Sequence, residues 1–262
     1  MKSEPITTAL LLAAGAGNRL LPLTQYRPKC LTMVAGCSIL ERLVRTLRSH
    51  GIKRLVVVIG HQGSHIRAFL AQNAGDLNVD YVVNPVYRTT NNIYSLWLAR
   101  HQLRESFLLL ETDLVFDPEM LKRMLRPDRI AVSTLSPWMN GTTVLLDRQG
   151  RVTAFQLRKG IKEEPRFKTV NVYSISQVSW KKIALRLSRY VSEKRLGEYY
   201  EAVFAEMVDD GSLSLEAVKF DAHRWYEIDT IMDLAEATKL FERKTRLAPY
   251  PSVLNDGLAP DG

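Results

Sequence analysis

The stretch Leu10-Leu11-Leu12-Ala13-Ala14-Gly15-Ala16-Gly17-Asn18-Arg19-Leu20-Leu21-Pro22-Leu23-Thr24, running on to Pro28-Lys29-Cys30-Leu31, decides how the rest of the chain is read. Its apolar start, Thr8 to Leu12, is short and continuous, as in a strand buried on both faces. It ends in a glycine-rich turn, followed by Arg19 and then Lys29. Glycines let backbone N–H groups close in on an anion and tolerate positive φ. Arg19 and Lys29 supply the fixed cations that a triphosphate needs. Two common phosphate-binding patterns are excluded. The lysine–serine ending of a P-loop is absent. A dinucleotide fingerprint would need a third glycine and an acidic residue closing a second strand about twenty residues on.

Outward from this turn the chain alternates strands and helices. Ser38-Ile39-Leu40-Glu41 is a capping box, opening a helix with Leu40, Leu43, Val44 and Leu47 on one face and a stop at Gly51. Leu55 to Ile59 is a second buried strand, broken by Gly60, and Val79 to Val83 a third, ending at Asn84-Pro85. Asn91 or Asn92 caps a helix that turns Ile93, Leu96, Trp97 and Leu103 inward. Phe107 to Leu110 runs straight into Glu111-Thr112-Asp113, and Asp117-Pro118 has the form of a helix start. This alternation predicts a parallel sheet.

The pattern then changes to strands with short turns, at 130–135, 142–146, 152–157 and 169–174, which predicts antiparallel additions. Helices are expected over 178–192 and 198–208, strands over 215–220 and 225–228, and a closing helix capped by Thr230 and ending near Arg246. The fold class expected is α/β: a Rossmann-like mixed, mostly parallel sheet flanked by helices. Residues 1–246 read as one domain, and 247–262, with Pro249, Pro251 and Pro260, as a disordered tail.

Composition narrows the class further. The 262 residues suffice for one large α/β domain, and 46% hydrophobic with 24% charged residues is ordinary for a globular protein. Cys30 and Cys37 form no disulfide framework and suit a reducing cytosol, so a cytoplasmic protein is expected. The small apolar run Ala9 to Ala14 mimics a signal segment, but cleavage there would delete the phosphate loop. No apolar run has the length of a membrane span. The net charge of +8 suits an anionic small substrate. Arg42, Arg45 and Arg48, and Lys181, Lys182, Arg186 and Arg189, are interleaved with apolar residues, the pattern of solvated helix faces; neither nucleic acid nor membrane is an expected partner.

Ligands of parallel α/β sheets bind beyond the carboxyl ends of the strands. The Gly15–Arg19 loop, Asn84 and Asp113 sit at such ends, and Asp229 closes Tyr226-Glu227-Ile228-Asp229. Two carboxylates beside a triphosphate suit Mg²⁺, which takes one or two carboxylates plus phosphate oxygens. His61 and His65 lack a third ligand and have Gly63 between them, so they read as surface residues.

The full string G-x-G-x-R-L-x-P-L-T-x-x-x-P-K-x-L, Gly15 to Leu31, resembles the signature of nucleotidyltransferases that join an NTP to a phosphorylated small molecule and release pyrophosphate. Asn91-Asn92-Ile93-Tyr94-Ser95-Leu96-Trp97-Leu98, the Asp113 strand end and Trp225-Tyr226-Glu227-Ile228-Asp229-Thr230 are similar to bacterial phosphocholine cytidylyltransferases and their 2-aminoethylphosphonate-using relatives, from Thr7 to about Leu240. The resemblance implies the nucleotidyltransferase fold and a catalytic set of Arg19, Lys29, Asp113 and Asp229, the two aspartates holding Mg²⁺. It implies a nucleotide site at Leu12, Ala13, Ala14, Gly15, Gly17, Asn84 and Asn91, with Ala13, Ala14 and Asn84 reading the cytosine edge. Lys159, Lys168, Glu111 and Glu227 are the candidates for the acceptor. The partners implied are CTP and a small phosphate or phosphonate, and related enzymes are often homodimers.

Sugar-phosphate enzymes of the superfamily usually carry Gly-Asp where this chain has Glu111-Thr112-Asp113, and lack the Asn-Asn-x-Tyr-Ser segment. Cytidylyl transfer is therefore favoured over the two alternatives, a sugar-1-phosphate or inositol phosphate nucleotidyltransferase and a non-catalytic nucleotide-binding protein. Phosphocholine enzymes carry a tryptophan near the position of Asn140-Gly141-Thr142-Thr143, where a quaternary ammonium wants an aromatic cage. Trp138, Tyr173, Trp225 and Tyr226 are the aromatics available to replace it, or are core residues.

Overall fold

A computed structural model describes residues 5–136, 139–157 and 166–247, with side chains to 242. In the first half, β1 (Thr8–Ala13) precedes a two-residue hairpin, β2 (Met33–Val34) and β3 (Cys37–Ser38), and the helix α1 (Ile39–Ser49). Next come β4 (Arg54–Ile59), α2 (Gly63–Asn73), β5 (Asn78–Val83), α3 (Asn92–Leu98), β6 (Phe107–Glu111) and β7 (Leu114–Phe116). The second half holds β8 (Arg129–Thr134), β9 (Thr143–Leu146), β10 (Val152–Gln156) and β11 (Arg166–Ile175). It closes with α4 (Gln177–Ser192), α5 (Glu201–Asp209), β12 (Glu216–Phe220), β13 (Trp225–Glu227) and α6 (Ile231–Leu247).

The expected mixed sheet is present. β5, β4, β1 and β6 lie side by side in that order and all parallel. β11 joins this half to the antiparallel additions: β6 pairs with its C-terminal residues, β9 with its N-terminal ones, and β8 with both ends. β10 extends β9, and β12 runs parallel to β8. Every residue of β1 is buried. Its alternate side chains enter two different layers, because successive strand residues point to opposite faces. Ala9, Leu11 and Ala13 join α1, α2 and α6 on one face, while Leu10 and Leu12 join α3, α4 and α5 on the other.

Local signals placed the helices well. Ser38 Oγ accepts the Glu41 N–H at 3.2 Å, and Gly51, at φ 82°, follows the end of α1. Asn91, rather than Asn92, caps α3. Three expectations change. The segment opened by Asp117-Pro118 is a 3₁₀ helix, Pro118–Met124. The strand expected to start at Thr169 begins at Arg166. Leu114–Phe116, unassigned from sequence, is a strand that pairs antiparallel with β13 in a sheet of its own. Three residues carry too little periodicity to be recognised without their partner. Of the expected tail, residues 248–262 lie outside the described residues, and among the described residues no helix is long and apolar enough to cross a membrane.

Gly60 ends β4 where the strand passes the phosphate loop. A Cβ there would lie 2.7 Å from the Ala14 carbonyl oxygen and 2.9 Å from Tyr87 Cβ, and the Ala14 carbonyl is also held by the His61 N–H at 3.0 Å. Gly60→Ala is therefore expected to cost about 1–3 kcal/mol of stability through overpacking. A urea denaturation midpoint unchanged from wild type would contradict this contact.

Candidate active site

β1 and β6 are the neighbours between which the chain order reverses, with Leu12 in register with Glu111. Such a switch point opens a crevice beyond the carboxyl ends of the strands. A cavity of about 800 Å³ lies there, and its wall includes Leu12, Ala13, Ala14, Gly15, Gly17 and Asn91. Arg19, Lys29, Glu111, Asp113 and Asp229 line it as well. A Cβ on Gly15 would meet nothing within 4 Å, so its backbone is open to an incoming anion. Gly17 has a different task. It sits at φ 66°, and a Cβ there would come within 3.1 Å of Lys29 Cβ, so the turn lies directly on the lysine stem.

Lys29 joins the two aspartates. Its Nζ donates to Asp113 Oδ2 and to Asp229 Oδ1, each at 2.8 Å, and Arg19 Nη2 donates to the same Asp229 oxygen at 2.8 Å. Burial alone would lower the Lys29 pKa, but the charges of Asp113 and Asp229 reverse this and hold it above the ordinary lysine value. Lys29 and both aspartates are largely buried, whereas Arg19 is 65% exposed and free to swing toward a ligand.

The backbone brings the aspartates together through elements that follow them. Asp113 lies between β6 and β7, and its carbonyl accepts the Ile228 N–H at 2.9 Å. Asp229 directly precedes the cap of α6. Asp233 Oδ2 accepts the N–H groups of Asp229 and Thr230 at 3.1 and 2.8 Å, and Thr230 Oγ1 accepts the Asp233 N–H at 3.2 Å. The reciprocal cap thus fixes Asp229 as well as starting the helix.

The donor set fits a hard divalent cation. Two carboxylates converge at the phosphate loop, and Asp113 Oδ1 is buried with no hydrogen-bond partner. Among the described residues no cluster of three or more His, Cys, Asp or Glu side chains is arranged around one metal position. A pair of carboxylates completed by phosphate oxygens is the pattern of Mg²⁺ rather than of an all-protein cage.

The inner wall is acidic. Asn92 donates to Glu111 Oε1 at 3.0 Å and accepts the Tyr200 N–H at 3.0 Å, tying the end of β6 to the start of α5. Burial pushes the Glu111 carboxyl well above the usual range, and the charges of Asp113, Glu201 and Glu227 add to it. Glu201, 4% exposed, is pushed up to about 7 by burial, and its Oε2 has no hydrogen-bond partner. Lys168 is 2% exposed and lies 3.3 Å from Glu227 Oε2, while its Nζ donates to the Thr169 carbonyl at 2.7 Å.

These placements revise several expectations. Lys168 and Glu227 are paired with each other and are not among the cavity-lining residues, so Glu111 is the expected acceptor residue that reaches the cavity. Lys159 and Trp138 lie outside the described residues. Asn84 lines the cavity, but its amide donates to Thr90 Oγ1 and Ser95 Oγ and accepts the Val86 N–H, which makes it a clamp for the following loop. Trp225 and Tyr173 are fully buried in the core, Tyr173 edge-on to Tyr200 and Phe204. His61, expected on the surface, lines the cavity against Tyr87, while His65 is exposed. Sequence reasoning missed Glu201, Tyr199 and the structural role of Asn92. The segment similar to the cytidylyltransferases, Asn91 to Leu98, was the signal for Asn92; an isolated glutamate at a helix start carried none.

A glycine turn, two cations and two carboxylates thus meet at the switch point of a mixed sheet of the nucleotidyltransferase fold. The chain belongs to the family of MobA-like NTP transferase domains, whose model matches residues 9–147. It is 32% identical over 237 residues to a CMP-5'-(3-aminopropyl)phosphonate synthase from Streptomyces rubellomurinus, covering 87% of this chain and 38% of that protein. It therefore spans little more than a third of that relative's length. The solved CTP:phosphocholine cytidylyltransferase from Streptococcus pneumoniae superposes with a TM-score of 0.78 at 20% identity, over 90% of this chain and 100% of the other. The inositol-1-phosphate CTP transferase from T. maritima gives 0.77 at 23%, over 92% and 96%. At these identities both structures speak for the fold alone.

Asp113→Ala and Asp229→Ala are each expected to lower turnover about a thousandfold, the scale of metal-mediated charge stabilisation. Pyrophosphate release near the wild-type rate in either variant at saturating Mg²⁺ would remove that residue from the chemistry. A second expectation concerns Glu201. Because its folded-state pKa lies above the unfolded value of about 4.3, the folded protein holds the extra proton between them, and stability falls as pH rises from about 4.3 through 7. Glu201→Gln should flatten this slope, by up to about 3 kcal/mol, in urea denaturation compared at pH 5 and pH 8. Parallel slopes for the two proteins would contradict it.

Proposed function

We propose that this chain transfers the CMP moiety of CTP to a small phosphonate or phosphate acceptor carrying an amino group, releasing pyrophosphate. The observation that carries the reading is one cavity whose wall includes the Gly15–Gly17 turn, Arg19, Lys29, Asp113, Asp229 and Glu111. Two cations held against two aspartates, with Glu111 two residues before Asp113, suit a triphosphate beside a zwitterionic acceptor. The name of the Streptomyces relative, a synthase of CMP-5'-(3-aminopropyl)phosphonate, supports the same linkage between CMP and an aminoalkylphosphonate.

In this reading an acceptor oxygen attacks the α-phosphorus in line, the bond to the bridging oxygen breaks, and pyrophosphate leaves with that electron pair. The acceptor is already an anion, so the chain supplies no general base; the obstacle is repulsion between anions. Arg19 and Lys29 bind the β- and γ-phosphates and meet the charge that grows on the leaving group. Asp113 and Asp229 would hold Mg²⁺, which supplies charge neutralisation at the reacting phosphate when bound. Gly15 and Gly17 let backbone N–H groups approach the phosphates, and Asn84 keeps the Val86–Thr90 loop against the nucleotide side of the cavity. Glu111, held by Asn92, faces the acceptor's ammonium.

The acceptor panel tests this directly. With CTP, 2-aminoethylphosphonate or phosphoethanolamine is expected to give a higher kcat/KM than phosphocholine, by up to about thirtyfold, because a primary ammonium donates a hydrogen bond worth about 2 kcal/mol to a carboxylate and a trimethylammonium cannot. The preference should shrink in Glu111→Gln. A clear advantage for phosphocholine would overturn the head-group assignment, and faster pyrophosphate release with UTP, GTP or dTTP and a sugar or inositol phosphate would overturn the proposal as a whole.

A further inference from the structure

Lys29 stands where a divalent cation would have to bind. Its ammonium touches Asp113 Oδ2 and Asp229 Oδ1 at 2.8 Å each, and Arg19 adds a third donor on Asp229 Oδ1. Two positive and two negative side chains make the set neutral before any ligand arrives. A free divalent ion entering this largely buried position would have to displace one or both cations. They would then stand beside the ion with no anion to receive them, which is unfavourable at short range and low dielectric. A nucleotide triphosphate changes the balance, since its phosphates offer both cations a new partner and leave the carboxylates free.

We infer that Lys29 is an internal counter-ion that keeps the divalent-metal site closed until nucleotide phosphates draw it away, so that metal and nucleotide bind as a coupled pair. The inference rests on the metal-ligand reading of Asp113 and Asp229. Three observations fit it. Lys29 is anchored at its stem, where the Gly17 turn lies against its Cβ, so only the end of the side chain has to move. Arg19, at 65% exposure, has room to leave Asp229. Asp113 keeps one buried oxygen, Oδ1, without a hydrogen-bond partner while Lys29 occupies the other. Coupling of this kind is reciprocal: nucleotide tightens metal to the same extent as metal tightens nucleotide. It would also keep the carboxylates from collecting metal in the absence of substrate.

The test is Mn²⁺ binding followed by electron paramagnetic resonance on the full chain, without acceptor, so that no turnover occurs. Wild type should bind Mn²⁺ at least tenfold more tightly with CTP than without, measured against a CTP-only blank. Lys29→Met, of similar length and uncharged, should bind Mn²⁺ at least tenfold more tightly than wild type in the absence of CTP, and gain far less from adding it. Arg19→Ala, altered at an exposed position, should shift the nucleotide-free affinity the same way by a smaller factor. Equal nucleotide-free affinities in wild type and a folded Lys29→Met would overturn the inference. Should Lys29→Met fail to fold by circular dichroism, an unchanged affinity in Arg19→Ala would do so. Loss of CTP-dependent Mn²⁺ binding in Asp113→Ala and Asp229→Ala supports the metal-ligand reading separately; its persistence there would remove that reading and this inference with it.

Discussion

The structure depends on one buried charge bridge, in which a single ammonium group holds two carboxylates from distant parts of the chain. Lys29 follows the phosphate loop, Asp113 follows the central strand β6, and Asp229 precedes the last helix. Without the lysine, two carboxylates would face each other in a largely buried place. Without the carboxylates, a lysine would be buried alone. Each alternative costs several kcal/mol, so the three residues specify one another. The same bridge ties the segment after the glycine turn to the strand end at Asp113 and to the start of α6 at Asp229.

Two small elements make the bridge possible. The two-stranded sheet of β7 and β13 contributes little to the core by size, yet it brings the chain near residue 229 back to the end of β6 through the Ile228–Asp113 backbone hydrogen bond. The reciprocal cap between Thr230 and Asp233 then stops the backbone at a defined point. Helix capping is usually discussed as a contribution to stability of about 1 kcal/mol. Here it also positions a carboxylate of the candidate site, because Asp229 shares the cap's acceptor.

Charge is divided along the cavity. The chain carries a net +8, but the wall behind Asp113 and Asp229 gathers Glu111, Glu201 and Glu227 with Lys168 as their buried cation. Burial and mutual repulsion raise the carboxyl groups, so this wall holds protons more readily than free glutamates do. Its negative character is thereby moderated until a cationic group arrives. In the proposed function, that arrangement suits an acceptor with an anion at one end and an ammonium at the other.

Most of the framework was legible in the linear sequence. β1 declared itself as a continuous apolar run because both its faces are buried, and α1 by a capping box and a positive-φ glycine, which are local chemistry. Arg19, Lys29 and Asp113 were singled out as candidates by the glycine-rich turn, the signature string it resembles and a strand end, and the structure brings them to one cavity. What the tertiary structure alone decided was pairing. Nothing local in Leu114–Phe116 announces a strand, since its stabilising partner lies more than a hundred residues away. The same holds for Lys168, which pairs with Glu227 instead of reaching the cavity, and for Asn84, whose amide is engaged by Val86 and Thr90 of the following loop and by Ser95 of α3. A sequence shows which groups can carry charge or donate a hydrogen bond. Burial and distance determine which partner each one meets, and these exist only once the chain has closed on itself.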